Sequence, residues 1–402
     1  MNPVQQICCR AFQAALRLAI PLLPYRRPET VERVEDLPAI IRARGCTRVL
    51  LVTDPGVMAL GLTRRLEESL TLAGMSCAVY DRTVANPTTV QVEEARELYL
   101  ERGCQAIIGF GGGSSMDCAK AAAIRAARPR KPLSKCRGIL KVHARLPLLI
   151  AIPTTAGTGS ETTLAAVITD ADTRHKYAIN DFPLIPRYAV LDPAITVSLP
   201  PALTASTGMD ALTHAVEAYI GRSTTRDTRE ASLTAVRLIF ENLDAAYADG
   251  NNLTARRNML HASYLAGCAF TKSYVGYVHA VAHSLGGVYN VPHGRANAVI
   301  LPMVLEAYGP AAHRRLAELA RAAGIAGADV PAPEAAGRFI QAVKDMKRRF
   351  GIGDTIPELK RADIPRLARY AAREGNPLYP VPVLMDAGEL ARLYEGLLEE
   401  SV

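Results

Sequence analysis

The chain has no tryptophan, and aromatic residues make up only 5% of its 402 positions. Proteins that hold single-stranded nucleic acid stack its bases on aromatic side chains. A net charge of +8 therefore does not by itself argue for such a partner, and no nucleic acid is expected. Nor does any uninterrupted apolar run reach the length that spans a bilayer, so no membrane partner is expected either. The eight cysteines include no Cys-x-x-Cys pair; Cys8 and Cys9 are adjacent and the rest are scattered. That usage suits free thiols in a reducing cytoplasm better than a disulfide framework. Acidic residues are missing between Asp117 and Glu161, an interval that carries Arg125, Arg128, Arg130, Lys131, Lys135, Arg137, Lys141 and Arg145. This reads as a solvated basic loop, or as a patch that draws an anionic cofactor toward a nearby site.

What is present is enough chain for two domains, each with its own core. Residues 1–24 form an extension with Phe12, Leu16, Leu18, Ile20, Leu22 and Leu23 among Arg10 and Arg17. It lacks the clean apolar centre and small-residue cleavage site of a secretory signal. Its arginines faintly resemble an organelle presequence, and an amphipathic helix packed on the body or on a partner subunit is the alternative. From Arg48 the pattern alternates strand and helix. Arg48–Thr53, Cys77–Tyr80, Ala106–Gly109 and Leu148–Ile152 are short apolar runs of the fully buried kind, and helical stretches cover Val57–Ala73 and Thr88–Glu101. Ala165–Asp170 and Tyr188–Asp192 complete this half. The alternation predicts a Rossmann-like parallel sheet covered on both faces, an α/β domain over 25–199.

Two loops in that half have the composition of ligand sites. Gly111-Gly112-Gly113-Ser114-Ser115-Met116-Asp117 lies between a strand and a helix. There glycines allow close backbone approach and the helix N-terminus offers N–H groups to a diphosphate; a plain tight turn is the competing reading. Pro153-Thr154-Thr155-Ala156-Gly157-Thr158-Gly159-Ser160-Glu161 follows another strand, and ligands bind at strand carboxyl ends in open α/β sheets. After Pro200-Pro201 the pattern turns helical, over Thr204–Tyr219, Arg229–Tyr247, Ala255–Lys272 and Ala311–Ala323. An all-α domain is predicted over 200–402.

Three of the eight histidines fall within fifteen residues of this helical half: His279, His283 and His293. His279 and His283 are four apart and share one helix face, while Gly286-Gly287 and Pro292 break the helix so that His293 returns from a loop. Upstream, Asp210 and His214 are also four apart. A carboxylate with several imidazoles is ligand chemistry for a divalent transition metal. Each pair alone is equally compatible with an ordinary helix face, and spacing leaves His279 and His283 interchangeable. His143, His175 and His313 are read as surface residues and His261 as a packed or capped one. Phosphate-binding loops in the first half and candidate ligands in the second would meet in a cleft.

These motifs together resemble the iron-containing (group III) alcohol dehydrogenase family of the dehydroquinate synthase-like superfamily. The resemblance covers nearly all the chain after about Leu37. It is carried by Val52-Thr53-Asp54-Pro55-Gly56, Asn86-Pro87-Thr88, Gly111–Asp117 with Lys120, and Pro153–Glu161. Further on come Gly208-Met209-Asp210 with His214, and the His279–His293 block followed by Gly294-Arg295-Ala296-Asn297-Ala298. It implies metal ligands at Asp210, His214, His279 and His293. His283 is then no ligand but a neighbour of the nicotinamide and substrate that helps proton transfer. It implies NAD contacts at Asp54, Asn86, Gly112, Gly113, Ser114, Asp117, Thr154, Thr155, Thr158, Thr163, Lys176 and Leu199. The metal is implied to be Fe(II), with Zn(II) the alternative. The segment before Pro28 departs from the family pattern.

The expected activity is hydride transfer between NAD and a primary alcohol or aldehyde held on the metal, in a cytoplasmic homodimer or larger homo-oligomer. Asp54 ends the first predicted strand, where the family's acidic residue contacts the adenosine ribose. Beside a 2′-phosphate its charge would cost about 1–4 kcal/mol, which favours NAD over NADP. The rival on the same scaffold is a dehydroquinate synthase-type lyase, whose phosphorylated, polyhydroxylated substrate needs extra basic residues near the metal. The complete ligand set also disfavours the metal-free maleylacetate reductases.

Overall fold

The computed structural model describes residues 1–399. It comprises two compact units, one of residues 24–199 with 250–260, the other of residues 1–23, 200–249 and the chain from His261 onward.

The first unit is built on a six-stranded sheet in the order β1-β9-β6-β4-β2-β3. Its strands are β1 (Glu29–Val31), β2 (Arg48–Val52), β3 (Ser76–Tyr80), β4 (Ala106–Gly111), β6 (Leu148–Pro153) and β9 (Tyr188–Val190). Every pairing is parallel. Along β2 the side chains alternate between two cores. Val49 and Leu51 pack with Ile108, Phe110 and Ile150 under α2 (Leu37–Ala43) and α4 (Arg64–Leu72). Leu50 and Val52 pack with Ile107 and Leu149 under α5 (Thr89–Glu101) and α6 (Gly113–Ala127). Burial on both faces is the reason these strands are continuous apolar runs. Between β2 and β3 the chain steps outward, and for β4 it returns to the other side of β2. In open α/β sheets ligands bind at such a reversal. The carboxyl ends of β2, β4 and β6, three neighbours, lead to Asp54, Gly112 and Thr154. A smaller sheet joins β5 (Gly138–Ile139), β8 (Lys176–Asn180) and β7 (Ala165–Thr169), the last two antiparallel.

Two expectations need correction in this unit and one at the start of the other unit's long C-terminal stretch. The helix expected over Val57–Ala73 is two, α3 (Pro55–Ala59) and α4, because Gly61 adopts φ +64° and ends the first. The basic interval is not a solvated loop throughout. Its first part is α6, and Arg125 is buried, with its guanidinium on Glu93 and on the carbonyls of Arg128, Pro129 and Lys131. His261, read as packed or capped, is not packed: it is exposed.

All strands among the described residues precede Leu191. The second unit is helical. It holds α7 (Pro201–Ile220), α8 (Arg226–Ala248), most of α9 (Leu253–Ser273), α10 (Tyr277–Tyr289) and α11 (His293–Tyr308). Beyond these come α12 (Pro310–Ala322), α13 (Ala332–Arg349), α14 (Ile364–Gly375) and α15 (Ala387–Glu395). The extension belongs to this unit too. It forms α1 (Pro3–Ala19), opened by an Asn2–Gln5 capping box, with Gln13 turned inward. No helix among the described residues is long and apolar enough to cross a membrane. All eight cysteines are free thiols.

Candidate metal centre and dinucleotide loops

On α7, Asp210 and His214 are one turn apart, and Glu217 follows three residues later on the same face. α10 carries His279. It runs through Gly286 and Gly287 to Tyr289, and the left-handed Asn290 stops it. The expected break at the glycines therefore does not occur. Nor does His293 sit in a loop; it is the first residue of α11. Two interior glycines cost about 1 kcal/mol each, an amount that packing of this buried helix outweighs. Gly294 makes the next step possible. A Cβ there would stand 2.4 Å from the Ser206 carbonyl oxygen, so only glycine lets α11 start against α7.

The result is one cluster. The ligand atoms of Asp210, His214, His279 and His293 all lie within 4.8 Å of one another, and His293 Nε2 is 3.5 Å from Asp210 Oδ1. Bonds of about 2.0–2.2 Å to a single first-row ion put ligand atoms about 3–4 Å apart, so a small closure suffices. Three imidazoles, one carboxylate and no thiolate fit a divalent first-row ion.

Around these four, other side chains fix orientation. His279 Nδ1 is 2.6 Å from Glu217 Oε2. This turns Nε2 inward, where the Asn297 amide nitrogen is 3.2 Å away. Asn297 also donates to Asp210 Oδ1 at 2.7 Å and lies 3.1 Å from His293 Nε2. Burial pushes the Glu217 carboxyl up to about 7, against the pull of the Gly276, Val278 and His279 N–H donors. Burial and the neighbouring imidazoles hold His279 well below its ordinary value. It is therefore neutral, the form that binds metal. The His214 ring stacks on Phe270, centroids 4.2 Å apart.

His283 lies outside the ligand cluster. It is exposed, its ring stacked against His293 with centroids 5.3 Å apart. Its Nδ1 is 2.6 Å from Glu374 Oε1, and Tyr379 donates its hydroxyl to the same oxygen at 2.7 Å. Although burial opposes it, the neighbouring His283 and these hydrogen bonds keep the Glu374 carboxyl below the usual range.

In the sheet unit, Asp54 caps α3, accepting from Val57 N at 3.0 Å through Oδ1 and from the Ser115 hydroxyl at 3.0 Å through Oδ2. Gly111 adopts φ +150°, and a Cβ there would lie 2.5 Å from Ser115 Oγ; the turn into α6 requires glycine. Gly112 and Gly113 open that helix, with Thr158 beside Gly113. Lys176 Nζ donates to Asn86 Oδ1 at 2.6 Å, and the Asn86 backbone N–H to Ser114 Oγ at 3.3 Å, so these three residues are contiguous. Thr154 N–H donates to the Gly111 carbonyl at 3.0 Å and ties the two loops together; Thr155 follows it, half-buried.

Asp117 and Thr163 have internal partners. Asp117 accepts from Ser160 Oγ and Val167 N, and burial pushes its carboxyl up to about 6. Lys120, fully buried, donates to the oxygens of Ser160, Thr163 and Ala165. Leu199 is half-buried, and its carbonyl accepts from Arg256.

Glu217, Asn297, Glu374 and Tyr379 were not singled out by the sequence reading. Glu217 continues the Asp210–His214 face, and Asn297 lies four residues past His293; both signals were available. Glu374 is 91 positions from its partner, and no local pattern marks it.

The comparisons with known proteins agree with this architecture. Residues 30–193 match the model of iron-containing alcohol dehydrogenases, and residues 204–397 match that of the family's C-terminal region. The 1,3-propanediol dehydrogenase of Klebsiella pneumoniae is 40% identical over 336 residues, 83% of this chain and 87% of that protein. The NAD-dependent methanol dehydrogenase of Bacillus methanolicus is 36% identical over 340 residues, 84% and 89% of the two chains. Among solved structures, a 1,3-propanediol oxidoreductase superposes with a TM-score of 0.88 at 35% identity, covering 92% of this chain and 97% of its own. The sulfoacetaldehyde reductase of Bifidobacterium kashiwanohense, solved with NAD+, reaches 0.82 at 29% identity, covering 93% and 98%. The chain belongs to the iron-containing alcohol dehydrogenase family. It is an oxidoreductase, an alcohol dehydrogenase of that family.

Proposed function

We propose that this protein is a metal-dependent, NAD-linked alcohol dehydrogenase and aldehyde reductase acting on primary alcohols and their aldehydes. The observation that carries this reading is the convergence of Asp210, His214, His279 and His293. These four would hold Fe(II), with Zn(II) the alternative, and the ion when bound supplies Lewis acidity that favours loss of an alcohol proton. Glu217 keeps His279 Nε2 turned inward, lowering the reorganisation needed for binding. His283 accepts the alcohol proton on oxidation and returns one on reduction. Asp54, Asn86, Gly112, Gly113, Ser114, Asp117, Thr154, Thr155, Thr158, Thr163, Lys176 and Leu199 form the NAD-binding surface, and the nicotinamide is the hydride carrier. Arg295 and Lys272, the basic residues nearest the ligands in sequence, are engaged with Glu358 and Asp227. This favours an uncharged alcohol over the phosphorylated substrate of a lyase. Free thiols throughout suit a cytoplasmic enzyme, and a homodimer or larger homo-oligomer is the assembly we infer.

The test is a panel of primary alcohols and aldehydes with NAD(H) and NADP(H), after removal of metal and reloading with Fe(II) or, separately, Zn(II). Net NADH formation that depends on added metal is expected. Turnover of a phosphorylated polyol without net NADH would establish the lyase instead. Asp54→Gly is expected to narrow the preference for NADH over NADPH by about five-fold or more. An unchanged ratio would remove Asp54 from cofactor selection.

A further inference from the structure

The extension and the Glu374 side chain belong to one construction. α14 ends at Gly375, and the segment that follows, residues 376–382, carries Tyr379. Two residues of α1 hold this segment by its carbonyl oxygens. Gln13 Nε2 donates to Tyr379 O at 2.7 Å and to Pro377 O at 3.2 Å. Arg10 donates to Val381 O at 2.7 Å and to Pro382 O at 2.8 Å, and its Nη1 is 2.8 Å from Gln13 Oε1. Gln13 is 4% exposed, so its amide is spent on these acceptors and not on water. Four carbonyls of one short segment thus depend on two side chains from a helix more than 360 positions away. From the other side, Tyr379 donates to Glu374 Oε1, the oxygen that also faces His283 Nδ1.

A carboxylate can only accept. It therefore fixes the hydrogen of His283 on Nδ1 and leaves the ring's lone pair on Nε2, the arrangement a proton acceptor needs. We propose that Glu374, held by Tyr379 on a segment that Arg10 and Gln13 of the extension clamp, is a positioning residue that sets the tautomer of His283. The extension is then a working part of the proton-transfer machinery. This rests on the reading of His283 as the residue that handles the alcohol proton.

The experiment is a set of double-mutant cycles on the metal-loaded enzyme, read with hydrogen exchange of residues 376–382. Glu374→Gln keeps shape, but its amide can donate as well as accept, so either tautomer is allowed. It is expected to lower kcat roughly ten- to hundred-fold with KM for the alcohol changed by less than about two-fold. The same change in a His283→Gln background is expected to alter kcat by less than about two-fold, because a residue that acts through His283 has nothing left to act on. Arg10→Ala with Gln13→Ala is expected to speed exchange of residues 376–382 and to lower kcat about three- to ten-fold, again only when His283 is present. If His283→Gln leaves kcat unchanged, the proton-handling role itself fails. If His283→Gln lowers kcat but Glu374→Gln does not, or the two effects multiply, His283 keeps its role and Glu374 loses its own. Unchanged kcat in the Arg10, Gln13 double variant, whatever the exchange shows, reduces the extension to packing.

Discussion

Two histidines on α10, one helical turn apart, each place Nδ1 2.6 Å from a glutamate oxygen, and the likeness ends there. The His279 side chain is 3% exposed and its partner Glu217 1%. Glu217 also accepts from two backbone N–H groups at the start of α10. The His283 side chain is 44% exposed, and Glu374 leans on one further hydroxyl. Rigid, dry surroundings suit a ligand whose nitrogen must stay put. An open flank suits a group that must meet substrate and exchange a proton. Spacing cannot express this difference, because both residues occupy the same helix face. What separates them is the partner each meets, and the two partners come from 62 and 91 positions away.

The sharpest way to break the contrast is to remove each ring in turn. His279→Ala is expected to lower metal affinity more than roughly hundred-fold, beyond the loss typical of outer-shell changes, and to abolish activity with it. His283→Ala should retain the metal and lose roughly a hundred-fold or more in kcat. Metal content after gel filtration, set beside steady-state rates, decides. Equal metal loss in both would make His283 a ligand and erase the distinction.

A second change addresses only the buried side. In Gly294→Ala the new methyl must avoid a backbone oxygen that cannot yield. The first turn of α11 then moves off α7 and takes His293 from Asp210. A loss of about 1–3 kcal/mol in unfolding free energy is expected, with weaker metal binding and unaltered hydrogen exchange over residues 376–382. Wild-type metal affinity in this variant would show that the close approach does not position His293.

These sites also mark what one chain of letters can and cannot disclose. The central strands β2, β4 and β6 were legible because burial on both faces makes them apolar runs, whereas β1, β5 and β8, short or partly exposed, were not. The turn glycines and hydroxyl residues at their carboxyl ends were legible because only small residues allow close approach there. The four converging side chains came from motif resemblance, since spacing alone left His279 and His283 interchangeable. The break at Gly61 was hidden within an otherwise helical pattern, and the helix through Gly286 and Gly287 ran against local propensity, because packing decided both. Glu374 and the clamp from α1 are long-range contacts with no periodic trace.

The smallest effect concerns a carboxylate that lacks what Glu217 has. Glu161, in the loop after β6, is buried, and neither of its oxygens has a hydrogen-bond partner. Burial pushes its carboxyl up to about 7, opposed by the charge of Lys120. Between the ordinary carboxyl value of 4.5 and about 7, the folded protein keeps a proton that the unfolded chain has released. Stability therefore falls as pH rises through that window. Glu161→Gln is permanently neutral and of nearly the same shape. It should match the wild type near pH 4, where both forms are protonated, and exceed it above pH 7 by on the order of 3 kcal/mol. Between pH 5 and 7 the slope of unfolding free energy against pH should change by about one proton's worth, or roughly 1.4 kcal/mol per pH unit. Urea unfolding of the metal-free protein across this range measures it. A variant that followed the wild-type slope would mean that Glu161 is ionised in the fold and has found partners, as Glu217 has.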